Sequence, residues 1–555
     1  MFIYSSKTES SNFEQDDDNY LLDAPLTPGY LIYLARSELD SRAKLGIYND
    51  VRNAEQPELV NQYLEDYNST SARLLACKGE KTNSWSKAVE IVKNPIAVYR
   101  MMRRYVYVLK PIWSRLNSTN EMDFLPNLYG AVTPTIDDFY ETIESILNLQ
   151  QFYDFNPMEF SHGLILNLQT NITLNATHTY EIAKYALKQN KYSLSLAWFM
   201  ATMELNQDPE IIPWEEIEGQ IETLVQEHDA THAEFAHDEK QGTYYFHEKL
   251  ANNPSSLRMR DIHYKTKFGV RPSGQDSYAS VTAYYNLMGI CSGDSFLSET
   301  DRAKLFCKLS TKPHPFFILN PIKLEVRSWS PYVAVFHEAI PKSILGYFWS
   351  STVSLFLNAT NPTTEILKTQ SGEAVNILED LNVPDDPRDG VKYRIKPAMS
   401  VAHFTDEQAG ERFLNYAEML TALNVKGEGA DTFRVNQYLH GNPLRIHCDH
   451  LQGHNDAFTE EQGDRIVSFL VFLTSPEVGG GTAFPNLGFK VEPAMGTVIY
   501  WDSALTDGSC DFRMAHEGCY AAHGLRWTSV KLIRQKANIL KKTCSTREGY
   551  WNNDY

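Results

Sequence analysis

The sequence predicts a multidomain α + β chain, helical in its front half and built in its back half from short β-strands arranged as a sandwich or jelly roll. Three observations carry this. Apolar residues recur at three- and four-residue steps through much of the first 205 positions. After about Ile322, short β-rich runs alternate with Gly, Pro and Asn clusters. The 555 residues are also too many for one domain of about 100–200 residues, so three or four domains are expected. With 43% hydrophobic and 22% charged residues, the chain can bury sizeable cores.

The elements follow in order. Residues 8–18 are polar and acidic and predict a loose tail over 1–25. Asn94-Pro95 starts a helix, with Pro at the first helical position. Val98, Met101, Met102, Tyr105, Val108, Leu109 and Trp113 share one face of it. Asp137 opens another helix with Phe139, Ile143, Ile146 and Leu147 inward. Two short amphipathic helices follow over 177–189 and 192–205, broken near Asn190. The pair reads either as one tetratricopeptide-like unit or as an ordinary helical hairpin. Strands are expected at 465–473, 489–491, 497–501 and 527–533.

Charge and cysteine content narrow the function. The net charge of −19, with no Lys/Arg-rich block, argues against nucleic-acid binding through phosphate neutralisation. No apolar run is long enough for a membrane span. Asn-x-Ser/Thr triplets stand at Asn68, Asn117, Asn171, Asn175 and Asn358. Seven Cys suit a large secretory protein with one or two disulfides, yet the first residues hold no apolar stretch of signal-peptide length.

The chemistry centres on His447-Cys448-Asp449. In an extended strand, alternate side chains point the same way, so His447 and Asp449 face one side and Cys448 the other. They are two members of a 2-His-1-carboxylate set, which leaves positions open on Fe(II). His516 offers the third ligand. Arg526 follows it in a His-x₉-Arg spacing. A 2-oxoglutarate co-substrate would chelate the metal through its C1 carboxylate and 2-oxo group. Its far C5 carboxylate needs a buried cationic fork, which Arg supplies. Between these residues, Gly479-Gly480-Gly481-Thr482-Ala483-Phe484-Pro485 makes a tight turn opening a strand. Zn²⁺ also suits the His/Asp set but leaves Arg526 unexplained. His450 and His454 read as surface or core histidines, and His523 as a packing residue near Arg526.

HxD, then a glycine turn with Thr-x-Phe-Pro, then His-x₉-Arg resemble the catalytic domain of collagen prolyl 4-hydroxylase α subunits. Arg465, Ile466, Phe484, Pro485, Pro493, Gly496, Thr497, Trp501, His516, Cys519, Gly524 and Trp527 fall where that family places them. Cys291-Ser292-Gly293, Leu305-Phe306-Cys307 and Phe317-Ile318-Leu319 resemble its segment ahead of the catalytic domain. Tyr180, Glu181, Ile182, Lys184, Ala186, Tyr192 and Trp198 resemble its peptide-binding domain, and Asn94-Pro95 its N-terminal region. The likeness covers nearly the whole chain and is strongest from Cys291 onward.

The resemblance implies helical N-terminal and tetratricopeptide-like domains followed by a double-stranded β-helix (jelly-roll) catalytic domain. The divisions are a tail over 1–25, a dimerisation-type helical domain over 26–157, a peptide-substrate-binding domain over 158–260, a linker with a disulfide over 261–325, and the dioxygenase domain over 326–545. It implies iron ligands His447, Asp449 and His516, co-substrate contacts from Arg526, Tyr438 and Thr528, and a peptide contact from Tyr192. It pairs Cys291 with Cys307 and Cys519 with Cys544. Arg526 stands where the family usually has Lys. Leu444 and Ile446 stand where it has Tyr and Pro.

The activity implied is 4-hydroxylation of peptidyl proline in procollagen, using Fe(II), 2-oxoglutarate and O₂, with L-ascorbate keeping the iron reduced. The partner implied is protein disulfide isomerase in an α₂β₂-type assembly. The compartment implied is the endoplasmic reticulum lumen, the missing signal peptide being read as an incomplete N-terminus. The alternatives are a non-catalytic collagen-binding or assembly subunit, which the Leu444 departure motivates, and the same chemistry on another proline-rich extracellular protein.

Overall fold

Asn94 caps the helix that organises the front half. Its side chain accepts hydrogen bonds from the backbone of Ile96 and Ala97 at 2.9 and 3.1 Å, and Pro95 occupies the first turn, where a missing N–H costs nothing. The computed structural model describes residues 28–52, 57–76, 83–113, 134–207, 209, 211–236, 281–348, 399–404, 410–438, 440–441, 446–451, 457–546 and 549–551. The acidic tail, Cys77, Leu444, His454 and the triplets at Asn117 and Asn358 lie outside the described residues.

The front half contains α1 (Pro28–Arg52), α2 (Pro57–Tyr67), α3 (Ser84–Val92), α4 (Pro95–Arg104) and α5 (Ile136–Tyr153). The apolar face expected from Val98 to Trp113 is buried throughout, although the helix passes through a π-helical stretch at Tyr105–Leu109. Thr135 and Asp138 form a reciprocal capping box at the start of α5, and Phe139, Ile143, Ile146 and Leu147 all point inward. An ion cluster crosses this core. Buried Arg104 donates through Nε and Nη2 to Glu38 at 2.7 and 2.9 Å and through Nη1 to Asp66 at 2.8 Å.

After the short α6 (Pro157–Ser161) and a hairpin of β1 (Leu164–Ile165) and β2 (Leu168–Gln169) come the two expected short helices, α7 (Ala176–Lys188) and α8 (Tyr192–Leu205). Small polar residues let them approach: Thr202 donates to Thr179 at 2.9 Å, and Ser195 donates to the Ala183 carbonyl at 2.8 Å. The Trp198 indole ties α8 back to Gln150 on α5 at 2.7 Å. Helix α9 (Trp214–Ala236) covers the pair with Ile217 and Leu224.

The back half begins with α10 (Val281–Cys291). Its main sheet uses β3 (Phe306–Ser310), β4 (Ile322–Trp329), β5 (Tyr332–His337), β6 (Met399–Phe404), β7 (Phe433–Tyr438), β8 (Arg465–Phe472), β12 (Val498–Asp502) and β15 (Arg526–Arg534), in the order β3-β4-β5-β12-β8-β15-β7-β6, all antiparallel. A second sheet of β10 (Thr482–Phe484), β11 (Phe489–Val491) and β13 (Glu517–Gly518) has the order β11-β10-β13, and β9 (Val478–Gly479) pairs with β14 (Ala521–His523). The two faces enclose an apolar core in which Val333, Val335, Leu470, Phe472, Ile499 and Trp501 meet Phe484, Phe489 and Val491. This layering fits a jelly-roll catalytic domain. Helix α11 (Glu411–Thr421) backs the sheet, with Phe413 packed against Phe433.

Helical and β-rich parts meet beside β14. The Phe152 ring stacks on Tyr520 at 4.1 Å, and Tyr153 donates to the Tyr520 carbonyl. The Lys93 carbonyl accepts from Gly524 N–H at 2.9 Å and lies 3.0 Å from His440 Nε2.

The cysteine pairing differs from expectation. Cys291 is bonded to Cys519, with Cα atoms 5.5 Å apart, and neither expected pair, Cys291–Cys307 or Cys519–Cys544, forms. Helix α10 lies on β10 and β11, which brings Cys291 to the segment leaving β13. Cys307 rides out on β3 at the sheet edge, opposite Glu325, and is exposed. Cys544 is a free thiol whose sulfur accepts from Gln535 Nε2 at 3.0 Å.

Candidate metal centre

Two segments that leave the sheets converge here. The chain after β7 carries His447 and Asp449, and the chain entering β13 carries His516. The 446–451 segment was expected to be extended strand; it is irregular and touches its neighbour through a single bridge, His447 to His516. The physical reason lies in Asp449, which turns to Ser468 on β8 instead of continuing a ladder. Ser468 Oγ donates to Asp449 Oδ2 at 2.5 Å.

The ligand atoms of His447, Asp449 and His516 lie within 4.8 Å of one another. His447 Nε2 is 3.7 Å from Asp449 Oδ1, and His516 Nε2 is 3.7 Å from Asp449 Oδ2. Among the described residues this is the one such cluster of three His, Cys, Asp or Glu. His516 Nδ1 is 3.0 Å from the Met514 carbonyl, so its proton sits on that nitrogen and Nε2 presents a lone pair to the others. Burial pushes the Asp449 carboxyl up, but His516, His447 and the Ser468 hydroxyl outweigh it and hold the group below the usual carboxylate range. The edge of Trp501 closes over His516 at 4.8 Å between ring centres.

Beyond the triad, β7 and β15 present one shared face. Arg526 is opposite Tyr438, and Thr528 is opposite Asn436. Arg526 is buried, its Cζ stacked 4.2 Å from the centre of the Tyr438 ring. Its Nε donates to the Gly480 carbonyl at 2.9 Å and its Nη2 to Thr482 Oγ1 at 3.2 Å. Arg526 Nη1, Thr528 Oγ1 and Asn436 Oδ1 are buried with no partner among the described residues. Leaving such groups bare costs about 1–3 kcal/mol each, more for a charged one. A carboxylate-bearing guest would satisfy the guanidinium and the hydroxyl together. The donor set therefore fits a metal ion with a diacid beside it, and a metal ion alone would leave Arg526 Nη1 without a partner.

The structure thus brings together six predicted residues: His447, Asp449 and His516 at the cluster, and Arg526, Thr528 and Tyr438 on the adjoining face. Tyr192 is elsewhere, buried in the helical part with its hydroxyl on Asn190 at 3.1 Å and its ring edge-on to His228. His450 packs against the Gly508 carbonyl at 3.0 Å and His523 against Glu477. Sequence reasoning missed Ser468 and Asn436. Asn436 stands two residues before Tyr438 on the same face, so period two alone was a signal for it. A cavity of about 190 Å³ lies far off in the helical part, lined by Gln62, Asp66, Arg103, Arg104 and His178. Arg103 and Arg104 are engaged there by Glu181, Glu38 and Asp66.

Comparison with known proteins adds to this geometry. Residues 51–167 match the model for the prolyl 4-hydroxylase alpha-subunit N-terminal region, and residues 433–534 match that of the 2OG-Fe(II) oxygenase superfamily. Prolyl 4-hydroxylase subunit alpha-1 of Caenorhabditis elegans is 22% identical over 88% of this chain and 88% of its own length. Subunit alpha-2 of Gallus gallus is 22% identical over 94% of this chain and 98% of its own, and human subunit alpha-1 is 21% identical over 82% and 85%. Among solved structures, the viral collagen prolyl hydroxylase of Paramecium Bursaria Chlorella virus-1 aligns over 25% of this chain and 79% of its own, with 22% identity and a TM-score of 0.22. With a family model matched in each half and relatives matched nearly end to end at 21–22% identity, the chain is similar to prolyl 4-hydroxylase α subunits over most of its length.

Proposed function

We infer that the chain is an Fe(II)- and 2-oxoglutarate-dependent prolyl 4-hydroxylase, placing a hydroxyl on C4 of a peptidyl proline with O₂ as oxidant. The observation that carries this is the adjacency of a converged His447-Asp449-His516 set to a buried guanidinium with an unsatisfied N–H. Iron, when bound, supplies oxygen activation coupled to decarboxylation of 2-oxoglutarate to succinate and CO₂. The chain's own residues hold and shield. Met514 fixes the His516 tautomer, and Ser468 fixes the Asp449 carboxylate. Arg526, with its unpartnered Nη1, would hold the C5 carboxylate, with the Thr528 hydroxyl beside it. Trp501 and Phe484 pack against His516 and keep water from that flank.

The finer reading is a procollagen-type substrate, bound as a stiff polyproline-II strand by the helical part. In this reading α7 and α8 act as a tetratricopeptide-like unit and Tyr192 lies near the peptide. Protein disulfide isomerase is the partner, the endoplasmic reticulum lumen the compartment, and L-ascorbate the reductant. The partner and the reductant are what the resemblance to prolyl 4-hydroxylase α subunits implies. The Cys291–Cys519 disulfide and the exposed Asn171 triplet support an oxidising, glycosylating compartment.

The test is turnover of a (Pro-Pro-Gly)-type peptide with Fe(II), ascorbate and 2-oxoglutarate, reading succinate and 4-hydroxyproline. Wild type should form both. His447→Ala should form neither, and Arg526→Ala should raise KM for 2-oxoglutarate by more than about tenfold. Peptide binding without succinate would leave the assembly-subunit reading instead.

A further inference from the structure

Arg526 can lie where it does because residue 518 has no side chain. Strand β13 runs directly on from His516, and its Gly518 pairs with Thr482 on β10. Alternate residues of an extended segment face the same way, so a side chain at 518 would point as His516 does, into the pocket. The Arg526 guanidinium occupies that place. A Cβ on Gly518 would stand 2.6 Å from Arg526 Cζ, 2.7 Å from Nη1 and 2.8 Å from Nη2. Contacts that short do not persist between real atoms. Backbone conformation does not demand this glycine, since Gly518 is absent from the positive-φ residues. Space demands it. In that place the guanidinium is held by Nε on Gly480, by Nη2 on Thr482 and by its stack on Tyr438, contacts that a displacement would break.

We propose that Gly518 is a positioning residue for the diacid co-substrate: its bare Cα makes the room in which a guanidinium, larger than an ammonium, presents its fork. This rests on the function proposed above. A methyl group at 518 displaces the flexible end of Arg526 and leaves the backbone as it is. Gly518→Ala therefore weakens co-substrate binding without unfolding the chain. Lys at 526 ends in a smaller head. It should bind the co-substrate poorly beside the native Gly518 but fit beside the added methyl of Gly518→Ala.

The experiment compares full-length wild type, Gly518→Ala, Arg526→Lys and the double variant. Each is loaded with Mn(II) and titrated anaerobically with 2-oxoglutarate, with KM, kcat and melting temperature measured alongside. Gly518→Ala should weaken 2-oxoglutarate binding by about tenfold or more, in KM rather than kcat, with Mn(II) affinity unchanged. Arg526→Lys should weaken binding in the wild-type background and strengthen it in the Gly518→Ala background. That reversal of sign is one that a merely structural glycine would not produce. Unchanged binding in Gly518→Ala, or the same direction for Arg526→Lys in both backgrounds, overturns the proposal. Loss of Mn(II) binding in Gly518→Ala overturns it too, because the methyl would then be disturbing His516. No 2-oxoglutarate binding by wild type overturns the function and this inference together, whereas normal wild-type binding confines any failure to Gly518.

Discussion

His447 and His516 exchange both backbone hydrogen bonds, His447 N–H to His516 O at 3.1 Å and His516 N–H to His447 O at 3.0 Å, with ring centres 4.4 Å apart. The main chain itself draws the two imidazoles together. Stripping metal with a chelator should therefore leave near-UV circular dichroism largely intact. The melting temperature should fall only as far as ligand linkage predicts. Collapse of the tertiary signal on chelation would show that the ion, not the backbone bridge, builds the site.

Ser468 does not touch the metal position but holds Asp449 Oδ2. Partners of this kind are worth about 10–100-fold in metal affinity. Ser468→Ala should weaken Fe(II) or Mn(II) binding by such a factor with the fold preserved, as read by metal titration. Wild-type affinity in the variant would assign the hydroxyl to its other neighbour, Ser503.

His440 is buried where the helical part meets the β-rich part, facing Lys93, His523 and Glu477. Burial and the neighbouring His523 push its pKa down to about 4, against opposing hydrogen bonds at Lys93 and Gly524. The unfolded chain binds that proton near the ordinary value of 6.5 and the folded chain does not. Stability is therefore full above 6.5 and declines as pH falls toward 4, by up to about 3 kcal/mol from this residue. His178, lowered to about 3 by burial, adds in the same direction. Melting temperatures across this window should drop for wild type and drop less for His440→Gln.

Peptide mapping of the non-reduced protein should recover Cys291 linked to Cys519, with Cys307 and Cys544 open to alkylation. Cys291→Ser should cost about 2–5 kcal/mol, read by denaturant unfolding. It should also loosen the segment after His516, because Cys519 lies three residues from that ligand.

Arg104 is 1% exposed between Glu38 and Asp66. Removing one member of a buried ion pair leaves an uncompensated charge and costs about 3–5 kcal/mol. Arg104→Ala should lower the unfolding midpoint of the helical part by that order. A midpoint within error of wild type would mean that water reaches Glu38.

What could be read beforehand was periodic or punctuated. Asn94-Pro95 announced the α4 start, and the 3.6-residue period picked out buried residues from Val98 to Trp113, because capping and amphipathicity are written in neighbouring positions. The strand at 489–491 matched to the residue, and those near 465–473, 497–501 and 527–533 matched within a residue or so. The segment around His447 was misread as a strand. Its conformation depends on Ser468 and His516, which are remote in sequence. The helices before residue 94 were not delimited, although Asn83 caps α3 through Ser86 N–H much as Asn94 caps α4.

The sequence by itself determined which residue types bear the chemistry, His447, Asp449, His516 and Arg526, and the helical and β-rich halves that carry them. Those follow from side-chain identity and local period. Only the tertiary structure decided that Cys291 meets Cys519 and not Cys307, that Thr528 and Asn436 keep bare polar atoms beside the guanidinium, and that Arg526 rests over Gly518. Such meetings depend on how α10 lands on β10 and β11 and on the register of β13 and β15, which pairing across long loops sets and no local pattern encodes.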